Sequence, residues 1–283
     1  LKTRILENKN IFLFSIDLED VREGAVNGHL YEDRVVANVL TYLDWLKLNK
    51  IKCTFFTVGS LAEKYQDLIK EIIYSGHELA CHTYDHLPLE NHTPASFKKN
   101  IEQNINALYN AGAKSVTGFR APVFSLTEKT SWAYKVLSEV GIKYSSSVLP
   151  ANNPLYGWKE FGTAPKIMEN NIVEIPMSID SYGPLTVPFA GGVYFRVLPF
   201  MFIKNSFRKK INANQAVTSY FHPYDLDTVQ EKFMIGGINN NSFYNFLIYY
   251  NRKNMMKRLN KILEMDVKVI TYEEYSKSIL NGI

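Results

Sequence analysis

Cysteine is scarce in this chain of 283 residues: Cys53 and Cys81 are the only two. Both sit in apolar runs, so they read as small buried hydrophobes and not as a disulfide framework. Long apolar runs are missing as well. The longest clean one, Val197 to Ile203, falls far short of the ~20 residues of a membrane-spanning helix. An excess of one charge is nearly absent: 32 Lys and Arg against 28 Asp and Glu leave +4, too little and too scattered for a nucleic-acid partner. No Gly-rich phosphate fingerprint follows the first apolar segment, which argues against a dinucleotide-binding sheet. The opening Leu1-Lys2-Thr3-Arg4 has neither an apolar signal core nor an initiator Met. The expectation is a cytoplasmic protein, with the compartment left open to a targeting segment trimmed from the sequence.

What is present is an ordinary globular composition, 46% hydrophobic and 21% charged, enough to bury a core without disulfides or a structural metal. Aromatics reach 13%, suited to sugar stacking and equally to a dense core, the simpler reading for most of them. Strand and helix patterns alternate. Apolar strands are expected at Ile11–Ile16, Ile51–Val58, His77–Cys81, Val116–Phe119, Ile142–Ser146, Ala216–Phe221 and Val267–Thr271. Helices are expected from Val36 to Asn49, from a Ser60–Glu63 capping box to Gly76, from Thr93-Pro94 through Leu108, and over Glu128–Val140. Further helices are expected near Leu198–Ile211, over Phe243–Met265 and from Glu273, while Ser147–Pro199 reads as irregular around one strand-like piece, Ile172–Met177. Seven or more βα units with short connections predict one domain over residues 1–283, built as a closed or nearly closed parallel barrel.

Polar residues gather where those strands end, which in a parallel barrel is the face that carries active sites. Asp17, Glu19 and Asp20 follow strand one, His82 and His86 strand three, Arg120 strand four, and His222 the strand at 216–221. Three crowded carboxylates repel one another unless a cation or a shared proton relieves them. The His-x-x-x-His spacing lets two imidazoles converge on one ion, and a neighbouring acid supplies a third ligand; such a trio leaves positions open, as a catalytic site requires. Arg120 stands on a Pro-stiffened loop, able to clamp a carboxylate or to cap a helix. His222 precedes Pro223, so its backbone is extended. His29, His77 and His92 read as buried core histidines.

Gly76-His77-Glu78-Leu79-Ala80-Cys81-His82-Thr83-Tyr84-Asp85-His86 resembles the histidine motif of the polysaccharide deacetylase family (the NodB-homology, carbohydrate esterase 4 group), and Thr54 to Gly59 resembles the strand before it. Arg120-Ala121-Pro122 resembles the family's Arg-x-Pro motif. Gly191 to Pro199, with Phe221 to Asp227, is similar to a subgroup associated with exopolysaccharide and surface-glycan assembly. The resemblance runs from about residue 11 to 275 and implies a distorted (β/α)7 TIM-like barrel. It implies Asp17 as general base, Arg120 orienting it, His222 as general acid, and His82 and His86 as metal ligands beside one acid, with Asp20 preferred over Glu19. Pro122, Phe124, Tyr194, Arg196 and Tyr224 would contact substrate.

Two departures stand out. Asp17 is followed by Leu18-Glu19-Asp20 where the family has two adjacent aspartates, and Ser145 stands where a strand-five Asp tunes the acid histidine. The implied reaction is removal of N-acetyl groups from an acetamido sugar of a surface glycan or its lipid-linked precursor. The cofactor is one divalent ion, zinc first, with nickel, cobalt or iron as alternatives. Rival readings keep the barrel: a deformylase, a cyclic-ureide amidohydrolase, or a catalytically silent glycan binder suggested by Ser145. Phe200 to Lys210 carries apolar residues beside a basic end, as an interfacial helix does, though helices in barrels mostly pack inward. Oligomeric state is not legible.

Overall fold

The computed structural model describes residues 10–152, 156–235 and 241–282; the opening tetrapeptide lies outside them. The first strand is interrupted at Phe14, giving β1 (Ile11–Leu13) and β2 (Ser15–Leu18). Extended chain thus continues past Ile16, and Asp17 sits inside a strand, opposite Phe56, not beyond the strand's end. There follow β3 (Thr54–Thr57), β4 (Glu78–Cys81), β5 (Gly118–Phe119), β6 (Tyr144–Ser145), β7 (Lys166–Ile167) and β8 (Val173–Glu174). These pair in the order β2-β3-β4-β5-β6-β8-β7, all parallel except β7 at the edge. β9 (Ile179–Tyr182) and β10 (Leu185–Pro188) form an antiparallel hairpin inside the segment expected to be irregular. β11 (Val217–Thr218) and β12 (Lys268–Val269) flank β1, both parallel to it.

The sheet is α/β and mostly parallel, as expected, but among the described residues no continuous backbone ladder closes the barrel. Ile16 bridges Phe221, which joins β2 to the chain after β11. Between β8 and β11 side chains take over: the Ser178 amide donates to Thr218 Oγ1 at 2.6 Å, and the Thr218 amide to Ser178 Oγ at 2.9 Å. Pro176 lies in that stretch and has no N–H to offer a ladder.

α1 (Val35–Leu48) buries Val35, Val39, Tyr42 and Leu46 at helical spacing. The expected capping box at Ser60 does not form. α2 (Gly59–Lys64) begins two residues earlier, after Val58, with the Gly59 and Ser60 amides donating to the Thr83 and Tyr84 carbonyls, and a kink at Tyr65 separates it from α3 (Gln66–Tyr74). A Cβ on Gly59 would lie 2.7 Å from the Tyr84 ring, so only glycine lets α2 approach the histidine loop this closely. α4 (Pro94–Asn110) has the expected Thr93 cap and Pro at its first turn. Only the second half of the 128–140 helix is α-helical, as α5 (Ala133–Glu139), after a 3-10 turn at Glu128–Thr130. α6 (Gly192–Val197) and α7 (Phe200–Asn212) follow; α7 turns Ile203 and Phe207 inward, with Phe207 edge-on to Phe12.

The long helix expected over 243–265 is two. α8 (Ser242–Tyr249) and α9 (Met255–Leu263) are parted where Asn251 takes a left-handed φ of 61°. α10 (Tyr272–Asn281) ends the fold on a Thr271–Glu274 capping box. Among the described residues no helix is long and apolar enough to cross a membrane.

Candidate active site

The strand tips carry the site, and Arg120 is its hub. It is fully buried after β5 and spends every nitrogen. Nε donates to the Ser146 carbonyl at 3.0 Å; Nη1 donates to Ser15 Oγ at 2.8 Å and Asp17 Oδ1 at 2.6 Å. Nη2 reaches Tyr272 OH at 3.0 Å, and the guanidinium lies 3.9 Å from the Phe56 ring centroid. Arg120 therefore orients Asp17 and is sealed from solvent. The loop that follows is strained: Val123 and Phe124 take φ of 49° and 55°, unusual for side chains of this size.

The histidine loop is neither a helix nor loose. Thr83 and His86 both adopt left-handed φ, 61° and 58°. Two buried asparagines on α4 hold the turn: Asn104 Nδ2 donates to the Thr57 and Thr83 carbonyls at 2.8 and 2.6 Å, and Asn100 Oδ1 accepts from the Tyr84 amide at 2.7 Å. Sequence reasoning passed over both. Their signal was a pair of amides spaced i, i+4 on the stripe of Phe97, Ile101 and Leu108.

Glu19, His82 and His86 converge, each offering a ligand atom within 4.8 Å of the others, the one such grouping among the described residues. Asp20, preferred from the sequence, points elsewhere. It receives Arg22 Nε on both oxygens at 3.0 Å and caps the 3-10 turn Val21–Gly24. The reason is local: an N-cap carboxylate is claimed by its own turn. The trio suits a divalent ion. His82 gives Nδ1 to the Arg120 carbonyl at 2.8 Å, which leaves Nε2 as a lone-pair donor. His86 Nε2 is buried without a hydrogen-bond partner, although Glu19 Oε2 stands 2.7 Å away. Two imidazoles and a carboxylate converging at this distance are the donor chemistry of zinc-type sites.

Electrostatics agree with this division of labour. Burial pushes His82 down to about 4, keeping it neutral. Burial alone would raise Glu19, but His86 and His222 pull it well below the usual carboxylate range. Burial also opposes charge on His222, yet Glu19 and Asp225 outweigh it and lift the imidazole to about 9. His222 Nδ1 lies 3.0 Å from Asp225 Oδ2, and Nε2 lies 3.7 Å from Glu19 Oε1. Asp225, three residues further on in the same turn, thus fills the place that Ser145 leaves vacant. Ser145 instead donates to Ser147 Oγ at 2.7 Å.

Of the substrate-contact candidates, three have other partners. Arg196 is completely buried against Asp225 at 3.0 Å. Pro122 is buried at the start of its turn. Tyr224 stacks on His222, with centroids 4.8 Å apart and planes at 4°, and its hydroxyl donates to Glu19 Oε1 at 3.1 Å. Phe124 and Tyr194 are half-buried, and Phe124 meets Tyr220 edge-on at 4.8 Å, next to His222. His77 and His92 are half-buried, whereas His29 is exposed, against expectation.

Residues 28–145 match the model described as polysaccharide deacetylase, and residues 146–277 match one described as a domain of unknown function. The peptidoglycan N-acetylglucosamine deacetylase of Bacillus cereus is 33% identical over 95 residues, 32% of this chain and 34% of its own. That of Listeria monocytogenes is 24% identical over 139 residues, 48% of this chain and 28% of its own. The chain spans at most about a third of the length of these curated relatives. Among solved structures, an allantoinase superposes with a TM-score of 0.63 at 14% identity over 96% of this chain and 91% of its own. A carbohydrate esterase 4 family pseudoenzyme from Bacillus anthracis gives 0.53 at 13% identity over 95% and 66%. At such identities these two share the fold.

Proposed function

We propose that this chain, whose residues 28–145 match the polysaccharide deacetylase model, is a metal-dependent hydrolase that removes N-acetyl groups from an acetamido sugar of a surface glycan or its lipid-linked precursor. The observation that carries this reading is the convergence of Glu19, His82 and His86 beside a carboxylate, Asp17, that is held through one oxygen only. Glu19, His82 and His86 would hold a divalent ion, zinc first, which when bound polarises the acetyl carbonyl and acidifies a water.

This chain's own residues do the rest. Asp17, pinned by Arg120, accepts the proton of the attacking water. His222 Nε2, charged at neutral pH because Glu19 and Asp225 face it, hands a proton to the sugar nitrogen as the C–N bond breaks. Arg120 contributes position, since burial keeps it from substrate. The silent-binder alternative drew on Ser145; a carboxylate partner for His222, Asp225 at 3.0 Å, supports the enzyme reading over it.

Metal analysis together with acetate release from N-acetylated glycans tests the proposal. The parent protein should bind about one ion and release acetate. His82→Ala should lose the ion. Asp17→Asn should keep it and lose roughly 10²- to 10⁴-fold in rate, the usual worth of a general base. A parent that binds no ion and frees no acetate, or an Asp17→Asn protein as active as the parent, would refute it.

A further inference from the structure

We infer that Arg196 is a positioning residue for the general acid, acting through Asp225, and that the break between α8 and α9 is what holds it in place; the inference rests on the deacetylase reading above. Asp225 is fully buried and divides its oxygens. Oδ2 faces His222 twice, accepting from its amide at 2.8 Å and meeting ring Nδ1 at 3.0 Å. Oδ1 accepts from Arg196 Nε at 3.0 Å. One carboxylate therefore locks both backbone and ring of the histidine, and its free side is gripped by a guanidinium with no exposure to solvent.

Arg196 is anchored by the helix break. Its Nη1 donates to the Tyr250 carbonyl at 2.6 Å and the Leu247 carbonyl at 3.3 Å. α8 ends there because Tyr250 turns extended, at ψ 133°, and Asn251 left-handed; the Leu247 carbonyl also accepts the Tyr250 amide, so the Tyr250 carbonyl, past the last helical bond, is the one that the break opens to Arg196. Asn251 then closes the loop, its Nδ2 donating to the Arg196 carbonyl at 2.7 Å. A planar fork can join a carboxylate on one edge to two carbonyls on the other, whereas a lysine ammonium offers no such edge. Had residues 243–265 formed one helix, the Tyr250 carbonyl would be spent within it and Arg196 would lose the shorter of its two far bonds. The remaining face of the ring is covered by Tyr224. With Nδ1 tied back, Nε2 is the nitrogen left to serve the site.

The consequence is selective for leaving group. In amide cleavage the proton on Nε2 passes to the sugar nitrogen, which keeps the electron pair of the breaking C–N bond. A 4-nitrophenolate departs as a stable anion and needs no proton. Loss of a well-positioned acid therefore lowers the rate on an amide while leaving an aryl ester much less affected, and general loss of structure lowers both.

The test uses the zinc-loaded full chain and its Arg196→Met, Arg196→Lys, Asp225→Asn and His222→Gln variants, with tetra-N-acetylchitotetraose and 4-nitrophenyl acetate as probes. Arg196→Met should cut the amide-to-ester ratio of kcat by about 100-fold, within the range of general acid catalysis, with KM nearly unchanged. Arg196→Lys should recover part of that. In the metal-free protein, the downfield proton resonance of the bonded ring Nδ1–H, assigned by its loss in His222→Gln, should vanish in Asp225→Asn and shift in Arg196→Met. A ratio and resonance like the parent's in Arg196→Met overturn the inference, as does an equal fall on both probes with the resonance kept. If the parent hydrolyses neither probe, the deacetylase reading fails, and the resonance in Arg196→Met decides the positioning role by itself.

Discussion

Replacing Asn104 with alanine should separate the stability of this fold from the readiness of its metal trio. Asn104 Nδ2 makes two short bonds to the Thr57 and Thr83 carbonyls, each contributing ~1 kcal/mol net. Both carbonyls keep a second donor, from the His82 and Gly59 amides respectively, so neither is stranded. Against that loss, Asn104 Oδ1 is buried with no partner, and removing it relieves a desolvation cost of about 1–3 kcal/mol. The terms largely offset, leaving a net destabilisation of at most about 1 kcal/mol, or no more than roughly 2–4 °C in Tm for a chain near this size. The effect on the trio should be larger. Thr83 holds a left-handed φ of 61° partly because its carbonyl is pulled onto α4, and relaxing it swings His82 and His86 apart. We expect zinc affinity to fall on the order of tenfold, the low end for loss of a group supporting metal ligands. Thermal unfolding of the metal-free protein and competitive zinc titration measure the two quantities independently. Zinc affinity within twofold of the parent, alongside the expected small loss in Tm, would refute the reasoning. Asn104→Asp supplies a contrast: a carboxylate facing two carbonyls is an uncompensated buried charge, at ~3–5 kcal/mol.

Two further predictions follow from particular contacts. Glu19→Gln should abolish tight zinc binding, whereas Asp20→Asn should leave it near the parent value, because Asp20 is occupied by Arg22; equal losses in a metal-binding assay would restore Asp20 as a ligand. Glu78, at the opposite ends of the strands, is pushed up from 4.5 to about 7 by burial, against bonds from Thr54, Tyr144 and the Glu273 amide. A carboxyl whose affinity for a proton is higher folded than unfolded stabilises the fold below its unfolded pKa, and that contribution disappears as pH rises through the folded one. Urea unfolding should therefore show stability declining between about pH 4.5 and 7, a slope missing from Glu78→Gln; identical slopes in the two proteins would rule this out.

The periodicity of apolar residues determined, without coordinates, that strands and helices alternate and that Asp17, His82, His86, Arg120 and His222 share one end of a parallel sheet. That much is local chemistry: side-chain period sets element type, and element type sets which residues end together. What pattern could not decide were contests between equal neighbours. Glu19 and Asp20 are both acids at one strand tip, and only the turn that claims Asp20 leaves Glu19 for the histidines. Ser145 looked like a missing partner, because the compensating Asp225 is near in sequence to His222 but gains its role only when a Pro-led turn brings it under the ring. Arg196 looked like a hand for substrate until a break in a distant helix gave it two carbonyls to hold. The barrel's closure was likewise a tertiary matter, settled by Pro176 withholding a ladder bond and by Ser178 and Thr218 supplying another. Sequence specifies which groups are available; the packed chain decides which are already taken, since a buried polar group must satisfy its nearest partner before it can serve a ligand.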